Sequence, residues 1–263
     1  MGNVIAVLPA SGGVGSSTLA AAVAVRAAAA CRSSVLVDLD PLGGQTDVLF
    51  GLEQEPGWRW ADLAEVAGVV DGRGLADELP TACGVPVLTG IGMGAAGDSW
   101  NDDAFTAWVD TVPDVVAGLS DAHELTVLDL PRDVRVLEAV ALLVDAMVVV
   151  AGSQATQLAA TGAVVRGARH LLGRMRDTGR PWESAPLLPI EPWVVLRGNR
   201  VEPDLEDLVM DQLDVPLVAT IGDDRRLVAE VSEGLPPGAR GRGQVVRAAD
   251  EVLLRLMEQA VAA

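Results

Sequence analysis

The 263-residue chain contains no lysine. Its 19 basic residues are all arginine and stand against 37 acidic ones, giving a formal charge of −18 and a pI near 4.3. The missing lysine excludes Schiff-base chemistry and any phosphate loop completed by a lysine ammonium. The acidic excess excludes a direct nucleic-acid binder, because neutralising phosphates takes clustered Lys or Arg. It also excludes electrostatic docking on an anionic membrane. Tyrosine is absent, and there are two Cys and two His. Cys31 and Cys83 stand far apart, in no metal-type or Cys-x-x-Cys spacing. Neither a structural zinc site nor a disulfide scaffold is expected, and both thiols should be reduced and unbridged. Apolar runs are broken by Arg26 or Asp145 before they reach spanning length, so no integral membrane segment is expected. The N-terminus lacks the basic segment and cleavage site of a signal peptide. These absences predict a cytoplasmic protein.

What is present reads as strand, loop and helix in alternation. Seven apolar runs predict strands: Asn3–Leu8, Ser34–Leu39, Val85–Leu88, Leu125–Leu130, Ala146–Val150, Pro192–Leu196 and Leu217–Ile221. Helical stretches separate them, at Thr18–Ala30, about Gln154–Met175 and about Gln244–Ala260. Continuous apolar strands between helices predict a mainly parallel sheet of about seven strands, covered on both faces. The expected fold class is therefore α/β, as a three-layer α/β/α unit spanning residues 1–263. Gly90–Gly97 and the Pro-rich piece Thr178–Pro192 predict surface loops. The last helix is amphipathic, but Arg247 and Arg255 are balanced by Asp250, Glu251 and Glu258. That balance favours a packed terminal helix over a membrane anchor.

The strongest motif is Pro9-Ala10-Ser11-Gly12-Gly13-Val14-Gly15-Ser16-Ser17-Thr18, between a predicted strand and a predicted helix. Glycines let successive amides point inward and let phosphates approach closely. The start of the following helix adds its positive dipole end, and the Ser17 hydroxyl is of the type that ligates Mg²⁺. A tight glycine turn with no ligand is the plainer alternative. Asp38, Asp40 and Asp129 each stand at the carboxyl end of a predicted strand. Asp in that position often only caps a turn. Three of them beside a phosphate-type loop favour a site, because ligands of open α/β sheets bind beyond the carboxyl ends of the strands.

The Ser11–Thr18 segment resembles the deviant Walker A loop of the MinD/ParA family of P-loop ATPases, lysine-Gly-Gly-x-Gly-lysine-Ser/Thr-Thr. Gly12, Gly13, Val14, Gly15, Ser17 and Thr18 fall on its positions; Ser11 and Ser16 stand where the family has lysines. Asp38-Leu39-Asp40-Pro41-Leu42-Gly43-Gly44 is similar to the family's switch strand, and Val127-Leu128-Asp129-Leu130-Pro131 to its Walker B strand. Trp193–Arg200 resembles the strand and turn that read adenine, with Arg197 and Gly198 intervening before Asn199. Asp223–Pro236 resembles the closing Asp-to-Gly-x-Pro stretch. Thr89-Gly90 and the lost lysines look most like the pilus-assembly CpaE/TadZ branch, whose actinobacterial relatives are called septum site-determining proteins.

The resemblance implies a three-layer P-loop NTPase fold that binds ATP or ADP with Mg²⁺. Ser11 through Thr18 and Asn199 would hold nucleotide, and Ser17 and Asp129 the metal. Asp38 and Asp40 would lie near the attacking water, Asp40 being the one to orient it. The resemblance also implies a homodimer, protein partners in pilus assembly or cell division, and recruitment through them to a pole, a septum or the inner membrane face. Members often carry an N-terminal receiver-like domain, expected here to be absent or trimmed.

Three functions compete at this level. The first is a MinD-like localisation or scaffold protein whose degenerate site binds Mg-ATP weakly and hydrolyses it slowly or not at all. The second is an active ATPase using an Arg substitute, for which Arg132 and Arg135 are the nearest in motif terms. The third is a Rossmann-type NAD-binding oxidoreductase, because Gly13-x-Gly15-x-x-Thr18 with Asp38 about twenty residues on partly fits that fingerprint. Trp58 and Trp60 are either core residues or an exposed apolar patch for a partner.

Overall fold

The computed structural model describes residues 2–41, 46–64, 66–90, 101–178, 190–198 and 203–262. Leu42, Gly43, Gly44, Asn199 and most of the two expected surface loops lie outside them. Helices and strands alternate along the chain. They are β1 (Asn3–Pro9), α1 (Ser16–Ala29), β2 (Ser34–Asp38), α2 (Thr46–Phe50), α3 (Gly72–Glu78), β3 (Thr81–Ala82), β4 (Val85–Leu88) and α4 (Asp102–Ala122). After these come β5 (Leu125–Asp129), α5 (Val134–Val140), β6 (Ala146–Gly152), α6 (Ala155–Thr178), β7 (Trp193–Arg197), α7 (Pro203–Leu213), β8 (Leu217–Ile221), α8 (Arg225–Ser232) and α9 (Gln244–Ala262).

The strands form one sheet in the order β3-β4-β2-β5-β1-β6-β7-β8. Every pairing is parallel except β3 with β4. Seven strands are those expected from the apolar runs. The eighth, β3, is two residues long and too short to show a period. It is set by the Cys83-Gly84 turn, where φ is 52° and 76°. Positive φ at both central residues is what a two-residue type I′ hairpin requires. Cys31 takes the same left-handed conformation at the end of α1 (φ 61°), and both thiols are exposed.

Burial on both faces follows from strand alternation. Val4, Ala6 and Leu8 of β1 point into one apolar layer, with Val35 and Val37 of β2 and the buried faces of α4, α5 and α6. Ile5 and Val7 point into the other, with Leu36, Val127 and Val148 against α1 and α9. Side chains of a strand alternate in direction, so a sheet covered on both sides must be apolar at every position. Helix α1 is built of Ala and Val, and nine of its residues are buried. Small side chains let it lie close to the sheet and hold the loop before it in place. Helix α9 packs on α1 through Val245, Val246, Ala249, Val252 and Leu256, and the Arg26–Asp250 ion pair closes the edge at 2.8 Å. It is the packed terminal helix that its charge balance suggested.

Close backbone contact marks the α3–α4 crossing. A Cβ placed on Gly72 would lie 1.8 Å from the Gly118 carbonyl oxygen. Gly72→Ala is therefore expected to destabilise the fold by about 1–3 kcal/mol or more through forced separation of the two helices. A Cβ on Gly167, within α6, meets nothing within 4 Å. Gly167→Ala should stabilise by about 0.5–1 kcal/mol by lowering the entropy of the unfolded chain. Urea denaturation of the two variants checks the contrast; equal effects would contradict the packing described.

Candidate functional site

The carboxyl ends of β1, β2, β5 and β7 meet at one end of the sheet, and the sequence motifs meet there with them. The loop from Ser11 to Gly15 joins β1 to α1. Its fixed points are Ala10, whose amide donates to the Val150 carbonyl at 2.9 Å, and Val14, buried in the α1 layer. Between them Gly12 and Gly13 are exposed. Gly13 and Gly15 are left-handed (φ 72° and 87°), a conformation that turns neighbouring amides inward. Gly15 begins α1, and no side chain among the described residues caps its first turn. The Ser11 hydroxyl oxygen is buried and has no hydrogen-bond partner among the described residues. A buried hydroxyl without a partner and amides without a side-chain cap are donors that an anion could use.

The carboxylates come together because β5 lies between β1 and β2. Pairing of β2 with β5 sets Asp38 directly beside Asp129. Both are nearly fully buried, at 2% and 5% exposure. Asp38 is held from several sides. Its Oδ1 accepts the Asp40 amide at 2.9 Å. Its Oδ2 accepts Thr46 Oγ1 at 2.7 Å and lies 3.2 Å from Thr89 Oγ1. The two threonine hydroxyls lie 2.9 Å apart. Ser17 hydrogen-bonds the Asp129 carboxyl, which links the first turn of α1 to the end of β5. Asp40 is exposed at the rim.

Burial pushes the Asp38 carboxyl above the ordinary carboxylate range, against the pull of its hydrogen bonds to Thr46, Asp40 and Thr89. Asp129 is pushed up to about 8, first by burial and then by the neighbouring Asp38 charge. Two carboxyls this close and this dry resist double ionisation. A divalent cation removes that resistance. The donor set fits Mg²⁺: one hydroxyl, one carboxylate and space for water and phosphate oxygens, not a full protein cage.

Arg197 ends β7 and reaches the loop from the other side. A Cβ on Gly15 would lie 3.0 Å from Arg197 Nη1, and Arg197 Nη2 donates to Asp223 Oδ1 at 2.7 Å. Beside them a cavity of about 490 Å³ is lined by Val14, Gly15, Thr18, Ile221 and Gly222 as well as Arg197 and Asp223. Sequence reading passed over Arg197 as an intervening residue; its signal was a cation at the carboxyl end of a parallel strand in a lysine-free chain. Arg135 is engaged elsewhere. It pairs with Asp102 at 2.8 Å and lies over the Phe105 ring at 4.0 Å. Arg132 lines a separate apolar groove with Val134, Ala163 and Gly167.

The two tryptophans part company. Trp60 is buried, meets Trp108 edge to face at 5.6 Å, and donates its indole N–H to the Asp38 carbonyl at 2.7 Å. Trp58 is 41% exposed.

A parallel sheet with a phosphate-type loop after its central strand, and an Asp-bearing strand beside that strand, defines the P-loop ATPase fold of the MinD/ParA type. A dinucleotide-binding Rossmann sheet has its first two strands adjacent. Here β5 separates them, and Asp38 faces Asp129. The oxidoreductase alternative is not favoured.

Comparison with known proteins agrees. The fold matches a ParA-family ATPase from Chlorobium tepidum with a TM-score of 0.71 at 15% identity, over 96% of this chain and 98% of that one. It matches the septum site-determining protein MinD of Pyrococcus horikoshii, solved with Mg-ADP, with a TM-score of 0.68 at 19% identity, over 98% and 99%. In sequence, MinD of Synechocystis is 24% identical over 249 residues, 90% of this chain and 82% of that protein. An uncharacterised protein of Mycobacterium tuberculosis is 37% identical over 154 residues, 54% of this chain. The match spans 43% of that relative, under half its length. No protein-family model matches the chain.

Two outcomes follow from this geometry. Trp60→Phe leaves the buried Asp38 carbonyl without its donor and is expected to cost about 1–3 kcal/mol in urea denaturation. The second concerns pH. Asp129 is raised from the ordinary 3.8 to about 8 in the folded chain. Between those values the folded state holds a proton that the unfolded chain has released. The stability this group contributes is full below about pH 4 and is lost as pH rises through about 8. In metal-free buffer the thermal midpoint of Asp129→Asn should fall less between pH 5 and 9 than that of the unaltered chain. Parallel slopes would show that Asp129 ionises normally.

Proposed function

We propose that this chain is a MinD-like positioning protein that binds Mg-ATP and Mg-ADP weakly and hydrolyses ATP slowly or not at all. The observation that carries the reading is the meeting of Ser17, Asp129 and Asp38 beside a loop with an unpaired buried hydroxyl and uncapped helix amides. The likeness to a MinD structure solved with Mg-ADP supports it. In this reading the amides of Gly12 through Ser16 hold the phosphates and Thr18 closes the loop toward the nucleoside. Ser17 and Asp129 hold the metal, and Asn199 is the nucleotide residue that the family resemblance assigns. Mg²⁺, when bound, neutralises charge on the phosphates. Asp40, exposed at the rim, orients water, while Asp38 is fixed by Thr46 and Thr89 and holds the end of β2 in register.

Slow turnover is what this reading expects of a loop that has lost both lysines. A cation reaching the transferred phosphate is worth about 10³–10⁵ in rate. The chain has no lysine to supply one, and neither does a second copy of it. Nucleotide occupancy, not the hydrolytic cycle, would then set whether the loop face is ordered for pairing in a homodimer. The dimer would position protein partners of cell division or pilus assembly at a septum, a pole or the inner membrane face. Septum positioning draws support from the septum site-determining relative. One continuous sheet supports reading residues 1–263 as a single unit.

Calorimetric titration with Mg-ATP and Mg-ADP tests the binding. Ser16→Lys is expected to tighten it by about 1.5–3 kcal/mol, the value of a charge-assisted contact. Ser11→Lys should raise turnover more than affinity once a dimer forms. Absence of binding at millimolar nucleotide, in both the unaltered chain and Ser16→Lys, would overturn the reading. Unaltered protein that turns ATP over at tens per second would overturn the slow-hydrolysis part.

A further inference from the structure

We propose that Arg197 is the phosphate-directed cation of this site and that Asp223 holds it in reserve until a polyphosphate arrives. The inference rests on the nucleotide-binding reading and adds to it the residue that replaces the missing ammonium. Arg197 comes from β7, outside the loop and outside the β5 segment where a substitute was sought. Its guanidinium lies against Gly15, where an added Cβ would stand 3.0 Å from Nη1, a tight contact. Glycine there leaves the cation room beside the first turn of α1, where the phosphates of a nucleotide would lie.

Charge explains why this cation matters. The chain carries −18, and Asp223 and Asp224 line the same cavity; of its two lining cations, Arg197 and Arg225, Arg197 is the one that lies against Gly15 of the loop. A polyphosphate entering it meets repulsion unless one positive group faces it. Asp224 is already committed, capping α8 through the Arg226 amide at 3.0 Å. Asp223 is committed to Arg197. The pair is half in water, with 34% and 57% side-chain exposure. Exchanging such a carboxylate for a phosphate costs little, because an ion pair this exposed is worth little to begin with. A guanidinium is suited to the exchange. Its planar fork presents parallel N–H donors that match two oxygens of a phosphate as well as two of a carboxylate. Binding would therefore turn Arg197 from Asp223 to the ligand.

The experiment is isothermal titration of the full chain with Mg-ADP and, separately, with Mg-pyrophosphate. The unaltered protein is compared with Arg197→Gln, Asp223→Asn and Arg132→Gln, with thermal midpoints confirming that each is folded. Arg197→Gln should weaken both ligands by about ten-fold or more, the loss of one charge-assisted contact. Asp223→Asn should tighten both, and Arg132→Gln should change neither. Binding by the unaltered chain that Arg197→Gln leaves intact overturns the role of Arg197 while the nucleotide reading stands. Weakening confined to Mg-ADP, with pyrophosphate unchanged, places Arg197 on the nucleoside and overturns the phosphate assignment. No binding by the unaltered chain but clear binding by Asp223→Asn supports the reserve. No binding by any variant overturns both readings together.

Discussion

Parallel pairing of β2 with β5, and the register that sets Asp38 against Asp129, is the constraint on which the candidate site depends. Inserting β5 between β1 and β2 brings two carboxyls from distant parts of the chain to one dry point beside the loop. Neither strand could carry such a residue in isolation. Burial makes the charged form of each unfavourable, and proximity makes the second charge worse. The fold therefore stores an unfavourable electrostatic arrangement at one end of its sheet, which a proton or a divalent cation relieves. Everything nearby is arranged to hold that point still.

The restraint is built from ordinary packing. Thr46 opens α2 and Thr89 follows β4, and their hydroxyls close on the same Asp38 oxygen. Trp60 ties the Asp38 carbonyl to the α4 layer through Trp108. On the other face α1 lies flat on the sheet because its buried side is mostly Ala and Val, and α9 covers it. The first turn of α1 is thereby fixed relative to the end of β5, which is what lets Ser17 reach Asp129. Stability of the core and geometry of the site are the same property here.

A lysine-free P-loop also shifts the problem of charge from the loop to its neighbours. Backbone amides and a metal ion can hold phosphates, but a net charge of −18 works against any anion. Arginine at the end of β7, paired with a rim carboxylate, stands where such a chain can restore one positive group without placing it in the loop. In the proposed exchange, ligand binding would be coupled to the state of a surface carboxylate. That coupling would give a positioning protein a readout of occupancy without hydrolysis.

Much of this was determined by sequence alone. Strand alternation and apolar runs marked seven of eight strands, because a doubly covered sheet must be apolar at consecutive positions. Glycines bounded by a strand and a helix marked the loop, and Asp38, Asp40 and Asp129 were legible as residues at strand ends. The strand β3 was not, because two residues have no period and its turn rests on Cys83 in a conformation usually left to glycine or asparagine. The difference between Trp60 and Trp58 was not legible either, since only the Asp38 carbonyl and the α4 layer decide which ring is buried. Sequence could not place Arg197 on Gly15, or remove Arg135 to Asp102 and Phe105, because ion pairs between distant segments have no signature along the chain. Local propensity and periodicity are written residue by residue; the order of strands in a sheet, and with it the pairing of Asp38 with Asp129, exists only once the chain has crossed back on itself.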